Sequence, residues 1–184
     1  MDEPLERFWT DAGRRLRRAI VDRRAPWRTP TVASLSPEGA PTARVMVLRS
    51  TDPATWSVTL HTDQRSDKRR GLLEDPRVAL NFWDPKAQLQ LRLEGIANLR
   101  RDDAIWTALS PAAREIYATT PAPGAPIAGP SEIADGDAAA AHANFLVLDI
   151  EARSLDLLHL DAPRHRRSRR VKTASGWAAS WVAP

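Results

Sequence analysis

The feature that most constrains this fold is a series of short strand-like runs separated by turn residues. Five runs lie in the middle of the chain, at 31–36, 43–50, 56–62, 78–83 and 88–99. In the last of them leucines alternate with polar residues, which is the period of a strand with one buried face. Two further runs occupy 144–150 and 155–160. Six or more closely spaced strands with few helices predict an antiparallel barrel.

Helices are expected on the flanks of these strands. Apolar residues at helical spacing predict an N-terminal helix at 4–24. Shorter helices are expected at 66–73, 102–109 and 111–119. Residues 120–142 are rich in Pro, Ala and Gly and predict a long loop. The 184 residues predict a single domain, 1–184, that is mainly β with flanking helices.

Composition narrows the class of protein. The chain has no cysteine, which excludes disulfides and thiolate chemistry. No apolar stretch reaches the roughly 18 residues of a membrane span, and the first residues lack signal-peptide features, so a cytoplasmic protein is expected. The net charge is +4, partly because of the basic run 164–172. Such an excess fits an anionic ligand, a nucleic acid or a solvated surface.

Basic and hydroxyl side chains at strand and helix ends form a candidate anion site. Arg44 and Arg49 bracket an apolar strand. Lys68 lies near a helix start, where the helix dipole disfavours a cation unless an anion is bound nearby. One phosphate would accept hydrogen bonds from a set of four side chains, Arg44, Thr62, Ser66 and Lys68. The alternative is a set of ordinary solvated surface cations.

Polar side chains also interrupt the leucine-rich strand. Gln90 and Arg92 share one face, either as the water-facing side of a half-buried sheet or as donors to a cofactor ring. His61 is either a general base or a structural hydrogen-bonder. The histidines lack the spacing of metal ligands, so no metal is predicted. The Rossmann, P-loop and nucleophile-elbow motifs are missing from the sequence.

The order and spacing of these motifs resemble the pyridoxamine 5'-phosphate oxidase family, whose members are FMN-binding split β-barrels. The matching segments are Arg44 to Arg49, His61-Thr62, Ser66-Asp67-Lys68, Asp75-Pro76-Arg77, Gln90 to Gly95 and Trp177 to Pro184. The resemblance covers residues 31–117 and returns at the C-terminus. It implies a homodimer with two FMN sites between the subunits.

The resemblance also implies a role for each matching residue. By this resemblance, the FMN phosphate would be bound by Arg44, Thr62, Ser66 and Lys68. The groups implied at the isoalloxazine ring are the backbone of Val47 and Leu48 and the side chains of Arg49 and Gln90. His61 stands where the family usually has Tyr. Arg167 or Arg169 would close over the flavin, across the dimer interface.

Departures from the family pattern narrow the expected function. Asp67 stands where many members have Arg, so Arg65 or Arg69 is expected to substitute as a phosphate donor. True pyridoxamine phosphate oxidases bind the substrate phosphate with residues at three positions that correspond here to Trp106, Ser110 and Arg114. These residue types do not match those of the family. We therefore expect FMN binding without expecting a vitamin B6 substrate.

The expected activity is that of an FMN-dependent oxidoreductase that transfers hydride through flavin N5. One alternative is a non-catalytic FMN carrier or sensor on the same fold, and another is deazaflavin or haem in place of FMN. A third is a nucleic-acid binder that uses the run 164–172. That run has no aromatic residue to stack on bases, so nucleic acid is not the expected partner.

Overall fold

The computed structural model describes residues 4–160 and 163–184. Within these ranges, nine strands join into one antiparallel sheet with five α-helices around it. The strands are β1 (Thr31–Leu35), β2 (Pro41–Val45), β3 (Ser50–Asp52), β4 (Ser57–Asp63), β5 (Arg77–Asp84), β6 (Leu89–Arg100), β7 (Phe145–His159), β8 (Arg166–Thr173) and β9 (Gly176–Val182). The helices are α1 (Leu5–Val21), α2 (Asp67–Glu74), α3 (Asp103–Ala108), α4 (Pro111–Glu115) and α5 (Ala138–Asn144). The expected mainly β, antiparallel fold is confirmed.

The long strand β7 determines how the sheet branches. The strand order is β2-β1-β5-β6-β7-β4-β3, and β8 and β9 continue from β7. β6 pairs with both halves of β7, whereas β4 pairs with its first half and β8 with its second half. The sheet therefore divides along β7, as expected for a split barrel.

The core lies between α1 and the sheet. Leu91 and Leu93 of β6 are completely buried, and the polar residues between them lie on the other face. α1 buries Trp9 and Leu16 against this layer. The indole N–H of Trp9 donates to Oγ of Ser168 over 2.9 Å, which attaches the N-terminal helix to β8.

The central strand predicted at 43–50 is wrong. β2 ends at Val45 and lies at an edge of the sheet, where Val45 is 65% exposed. The next four residues leave the ladder, because the amides of Met46 and Leu48 donate to the carbonyls of Pro30 and Arg28. The chain then enters β3 at the other end of the strand order. Residues 46–49 therefore cross between two edges of the sheet.

Other predicted boundaries also change. The helix predicted at 4–24 is α1, which ends earlier, at Val21. The predicted loop 120–142 contains a 3-10 turn at Pro130–Glu132 and most of α5, whose first turn is capped by the Asp137 carboxylate. The two strands predicted at 144–150 and 155–160 form one strand, β7. No helix in the described part of the chain is long and apolar enough to cross a membrane.

Two helical glycines differ in the room around them. A Cβ on Gly71 of α2 would lie 2.2 Å from the carbonyl oxygen of Leu35 in β1, whereas a Cβ on Gly13 of α1 would meet nothing closer than 3.8 Å. We expect Gly71→Ala to lower the free energy of unfolding by about 2 kcal/mol or more, because backbone must move. Gly13→Ala, the control, is expected to raise it by about 0.5–1 kcal/mol. Urea unfolding measures both, and equal effects would contradict the close approach.

Candidate functional site

Arg44 of β2 is a partly buried cation with neutral partners. Its guanidinium donates to the Oγ of Ser34 over 2.7 Å, to the carbonyl of Val32 and to the hydroxyl of Thr42. No carboxylate bonds to it in the described part of the chain. Burial lowers its pKa. The positive charge of Arg44 is therefore not compensated locally.

Lys68, in the first turn of α2, lies within electrostatic reach of Arg44. Burial and the Arg44 charge lower the pKa of Lys68, and the carboxylates of Asp63 and Asp67 oppose that shift. Both carboxylate oxygens of Asp63 already accept hydrogen bonds from the Arg65 guanidinium, from Nε and Nη2. Lys68 makes no side-chain hydrogen bond or ion pair with any described residue. Two neighbouring cations at a helix start form a site that favours an anion.

Two hydroxyl side chains lie at the end of β4 and just before α2. Thr62 is buried, and its Oγ1 has no hydrogen-bond partner among the residues described. A buried hydroxyl without a partner is costly, so Thr62 is suited to a ligand. Ser66 is also buried, but its hydroxyl donates to the Asp63 carbonyl over 2.7 Å. We call Arg44, Thr62, Ser66 and Lys68 the cationic cradle.

An aromatic wall lies on the face of β4 that His61 shares with Asp63, and it consists of His61, Tyr117 and Phe145. The ring of His61 meets Phe145 edge-on at 4.9 Å, and Tyr117 meets Phe145 at 5.2 Å. Burial and the nearby Arg49 lower the pKa of His61 to about 4, with Asp149 opposing. Nδ1 of His61 is buried, and no described residue bonds to it. His61 is therefore neutral at physiological pH.

The sequence did not point to Tyr117 and Phe145 as part of this wall. Tyr117 is the one tyrosine in the chain. Burial raises its pKa, with the nearby Arg49 opposing. A single tyrosine in the sequence is the one feature that could have marked this position as functional. Its contact with Phe145, 28 positions later, cannot be read from a local sequence pattern.

Among residues 46–49, one backbone amide has no hydrogen-bond partner in the described part of the chain. The Leu48 side chain is completely buried, and its amide already donates to the Arg28 carbonyl over 2.8 Å. The Arg49 amide donates to the Thr59 carbonyl. The Val47 amide has no partner among the described residues, and its side chain is half-buried. Val47 is therefore the backbone donor that remains available in this segment.

Gln90 and Arg167 lie elsewhere in the same chain. Both are opposite Leu158 of β7, whereas His61 is opposite Val147 of that strand. Residues 147 and 158 are eleven positions apart, which is roughly 36 Å along an extended strand. The structure thus places Lys68 within electrostatic reach of Arg44 and puts Gln90 and Arg167 in a separate group.

This second group is built around Asp156, a buried carboxylate. Arg167 donates to Asp156 over 2.9 Å and Arg92 over 2.8 Å, and Arg169 lies 3.7 Å from it. Burial raises the pKa of Asp156, but the bonds from Arg167 and Arg92 outweigh it and lower the pKa overall. Gln90 donates to the Asn81 side chain over 2.6 Å. We call Gln90, Arg92, Asp156, Arg167 and Arg169 the second group.

Most of the remaining candidate residues have structural partners. Arg65 bonds to Asp63 and to the carbonyls of Tyr117 and Thr119, so it is not available as the substitute phosphate donor. Arg69 makes no side-chain hydrogen bond with the residues described. Ser110 caps α4, Arg114 bonds to the carbonyls of Trp106 and Thr107, and Trp106 packs on Phe145.

The basic run 164–172 forms β8, and much of its charge is used within the chain. Arg170 bonds to Glu6 and lies 4.8 Å above the Trp9 ring, and Lys172 bonds to Glu151. Arg166 lies over the Phe8 ring. These contacts use part of the charge of the run within the chain. Among the described residues no three His, Asp or Glu side chains form a metal-binding group.

Comparison of the sequence with known proteins finds one family. The family model described as pyridoxamine 5'-phosphate oxidase matches residues 6–153. The pyridoxine/pyridoxamine 5'-phosphate oxidase of Microcystis aeruginosa is 39% identical over 80 residues, 44% of this chain and 36% of that protein. That of a Cyanothece species is 35% identical over 92 residues, 50% of this chain and 40% of that protein. These alignments span less than half the length of either relative.

Solved structures agree on the fold. A pyridoxamine 5'-phosphate oxidase-related, FMN-binding protein from Nostoc punctiforme has a TM-score of 0.77 and 24% identity, with all of both chains covered. PhzG from Burkholderia lata, solved with tetrahydrophenazine-1-carboxylic acid, has a TM-score of 0.75 and 20% identity, with 100% of this chain and 95% of PhzG covered. With the family model spanning most of its length, the chain belongs to the pyridoxamine 5'-phosphate oxidase family.

Proposed function

We propose that this protein is an FMN-binding flavoprotein that acts as an oxidoreductase, with the FMN phosphate in the cationic cradle. The observation that carries the proposal is the uncompensated pair Arg44 and Lys68 beside the unpartnered hydroxyl of Thr62. A phosphate dianion accepts hydrogen bonds from all three groups and neutralises both cations. The FMN phosphate therefore fits the cradle chemically. Ser66 is available as a donor only after its hydroxyl releases the Asp63 carbonyl.

The flat ring of FMN fits the groups next to the cradle. The available amide of Val47 is suited to a ring carbonyl, and the exposed Arg49 adds a cation that stabilises negative charge on a reduced ring. The aromatic wall supplies an apolar, water-excluding side. A neutral His61 adds no charge there. Bound FMN would supply the hydride chemistry, and these residues would bind it, orient it and tune its charge.

Gln90 and Arg167 reach such a site only from a second copy of the chain, so we propose a homodimer. The second group lies on a row of paired residues that runs from Val45 through Thr31 and Asn81 to Arg92, Asp156 and Arg169, and both ends of this row are exposed. Val45 is 65% exposed on this face. Exposed apolar side chains on a sheet face are typical of an interface.

The same geometry also suits a non-catalytic FMN carrier or sensor. The absorbance spectrum of the purified protein tests for the flavin, and it also separates FMN from deazaflavin and haem. Steady-state turnover with NADH, NADPH or pyridoxamine phosphate tests for catalysis. A flavin spectrum without turnover of these compounds would favour the carrier, and colourless protein that takes up no FMN at micromolar concentration would remove both.

The double variant Arg44→Ala with Lys68→Ala is expected to weaken FMN binding at least about 100-fold, because a charge-assisted hydrogen bond is worth roughly 1.5–3 kcal/mol. The control is Arg17→Ala with Arg23→Ala, which removes the same charge from exposed positions of the N-terminal region. Fluorescence quenching of FMN gives both affinities. Unchanged affinity in the cradle variant, or equal losses in both, would mean that the phosphate binds elsewhere.

Subunit mixing tests the two-chain site. We expect Gln90→Leu and Lys68→Ala each to weaken FMN binding on their own. When the two variants are co-expressed in equal amounts, random pairing restores about a quarter of the sites, because one site of each mixed dimer is intact. Separate expression followed by mixing without exchange is the control. If co-expression restores no tight sites, Gln90 does not act across subunits.

His61 gives a pH dependence of stability. Its pKa is about 4 in the folded chain, below the value of about 6.5 in an unfolded chain, so the unfolded state binds the proton first. Stability is therefore full above pH ~6.5 and falls by roughly 2 kcal/mol as the pH drops toward 4. His61→Asn should flatten this fall in urea titrations, whereas His165→Asn, at an exposed position, should not. Identical curves would contradict the assignment.

A further inference from the structure

A cleft along the second half of α1 shares no lining residue with the cationic cradle. It has a volume of about 1280 Å³ and lies between the second half of α1, the segment 22–27 and the turn 84–87 that joins β5 to β6. This volume is ample for a small molecule, since ligand pockets usually measure roughly 300–1,000 Å³. None of its lining residues belongs to the cradle or to the aromatic wall.

The cleft carries an excess of positive charge. Five basic and three acidic side chains line it. Each acid has an arginine partner: Arg14 bonds to Asp11, Arg15 to Asp84 over 2.7 Å, and Arg18 to Asp22 over 2.9 Å.

Two cations of the cleft remain without a partner. The side chains of Arg24 and Lys86 make no hydrogen bond or ion pair in the described part of the chain. Arg24 acts on Asp22 only by its backbone amide and by its charge, which help to lower the pKa of that carboxyl. Two cations at the rim of one cleft favour a ligand with at least two negative charges.

Two indoles complete the lining. Trp83 is 36% exposed, so part of its ring is available to stack on a planar group. Trp27 is almost completely buried, and its indole N–H has no acceptor among the described residues. The groups not already paired are therefore donors and one ring face, which suits an acceptor-rich anion that carries an aromatic ring.

We propose that this cleft binds a ring-bearing diphosphate, with the phosphates on Arg24 and Lys86 and the ring on Trp83. The chemistry is shared by a free nucleoside diphosphate and by a nicotinamide dinucleotide. The cleft shares no residue with the cradle or the second group, and its nearest link to them is the pairing of Trp83 with Gln90.

Calorimetric titration of the purified protein at about 50 mM salt tests the proposal, since charge screening is weak there. The probes are ADP, NADPH and inorganic pyrophosphate. We expect saturable ADP binding that weakens at least tenfold in Arg24→Ala with Lys86→Ala and less than twofold in the control Arg17→Ala with Arg23→Ala. Trp83→Leu should weaken ADP binding and leave pyrophosphate unchanged. NADPH binding as tight as that of ADP identifies a dinucleotide, and ADP binding alone identifies a free nucleotide.

Three results would overturn the proposal: no saturable binding of any probe, equal losses in the cleft and control variants, or pyrophosphate binding as tight as ADP binding. The FMN content of every variant separates this test from that of the flavin site. Arg44→Ala with Lys68→Ala should lose FMN and keep ADP binding, whereas the cleft variant should keep its FMN.

Discussion

The close approach of α2 to β1 is the contact on which the candidate site depends. Gly71 allows it, because a side chain there would meet the carbonyl oxygen of Leu35. Lys68, one turn earlier on the same helix, is thereby held within electrostatic reach of Arg44 on the neighbouring strand β2. Two like charges are brought together at a cost, and a bound anion removes that cost. The close packing of α2 on β1 thus holds two cations near each other, and this arrangement favours the binding of an anion.

The length of β7 sets the second constraint. One strand pairs with β4 at its beginning and with β8 at its end, so Thr62 and the second group lie at opposite ends of the same strand. A rigid sheet does not bring Gln90 to Thr62 within one chain. If both bind one cofactor, the chain needs a partner copy, and the row from Val45 to Arg169 is the face that such a copy would cover.

The sequence predicted the elements whose signal is local and missed those set by distant contacts. The alternating leucines of β6 and the helical spacing of α1 gave correct elements. The apolar run after Arg44 suggested a central strand, but Met46 and Leu48 satisfy their amides outside the ladder while remaining buried. The resemblance grouped Arg44, Thr62 and Lys68 as one predicted site, and the structure places Lys68 within electrostatic reach of Arg44. The sequence does not show that the Val47 amide is unbonded in the described part of the chain. That follows from the path of residues 46–49, which is set by the hydrogen bonds of Met46 and Leu48 to the carbonyls of Pro30 and Arg28.

The position and pairing of each charge indicate where an anion binds, and the net charge of the chain does not. The basic run 164–172 is the most conspicuous feature of the composition, yet Arg167, Arg170 and Lys172 each bond to a carboxylate. Arg44 and Lys68 are inconspicuous in the sequence but lack such a partner among the described residues. An ion pair within the chain already satisfies its charge, whereas a partly buried cation without one retains most of its electrostatic energy for a ligand. Specific anion binding is therefore expected where carboxylates are missing and not where arginines are most numerous.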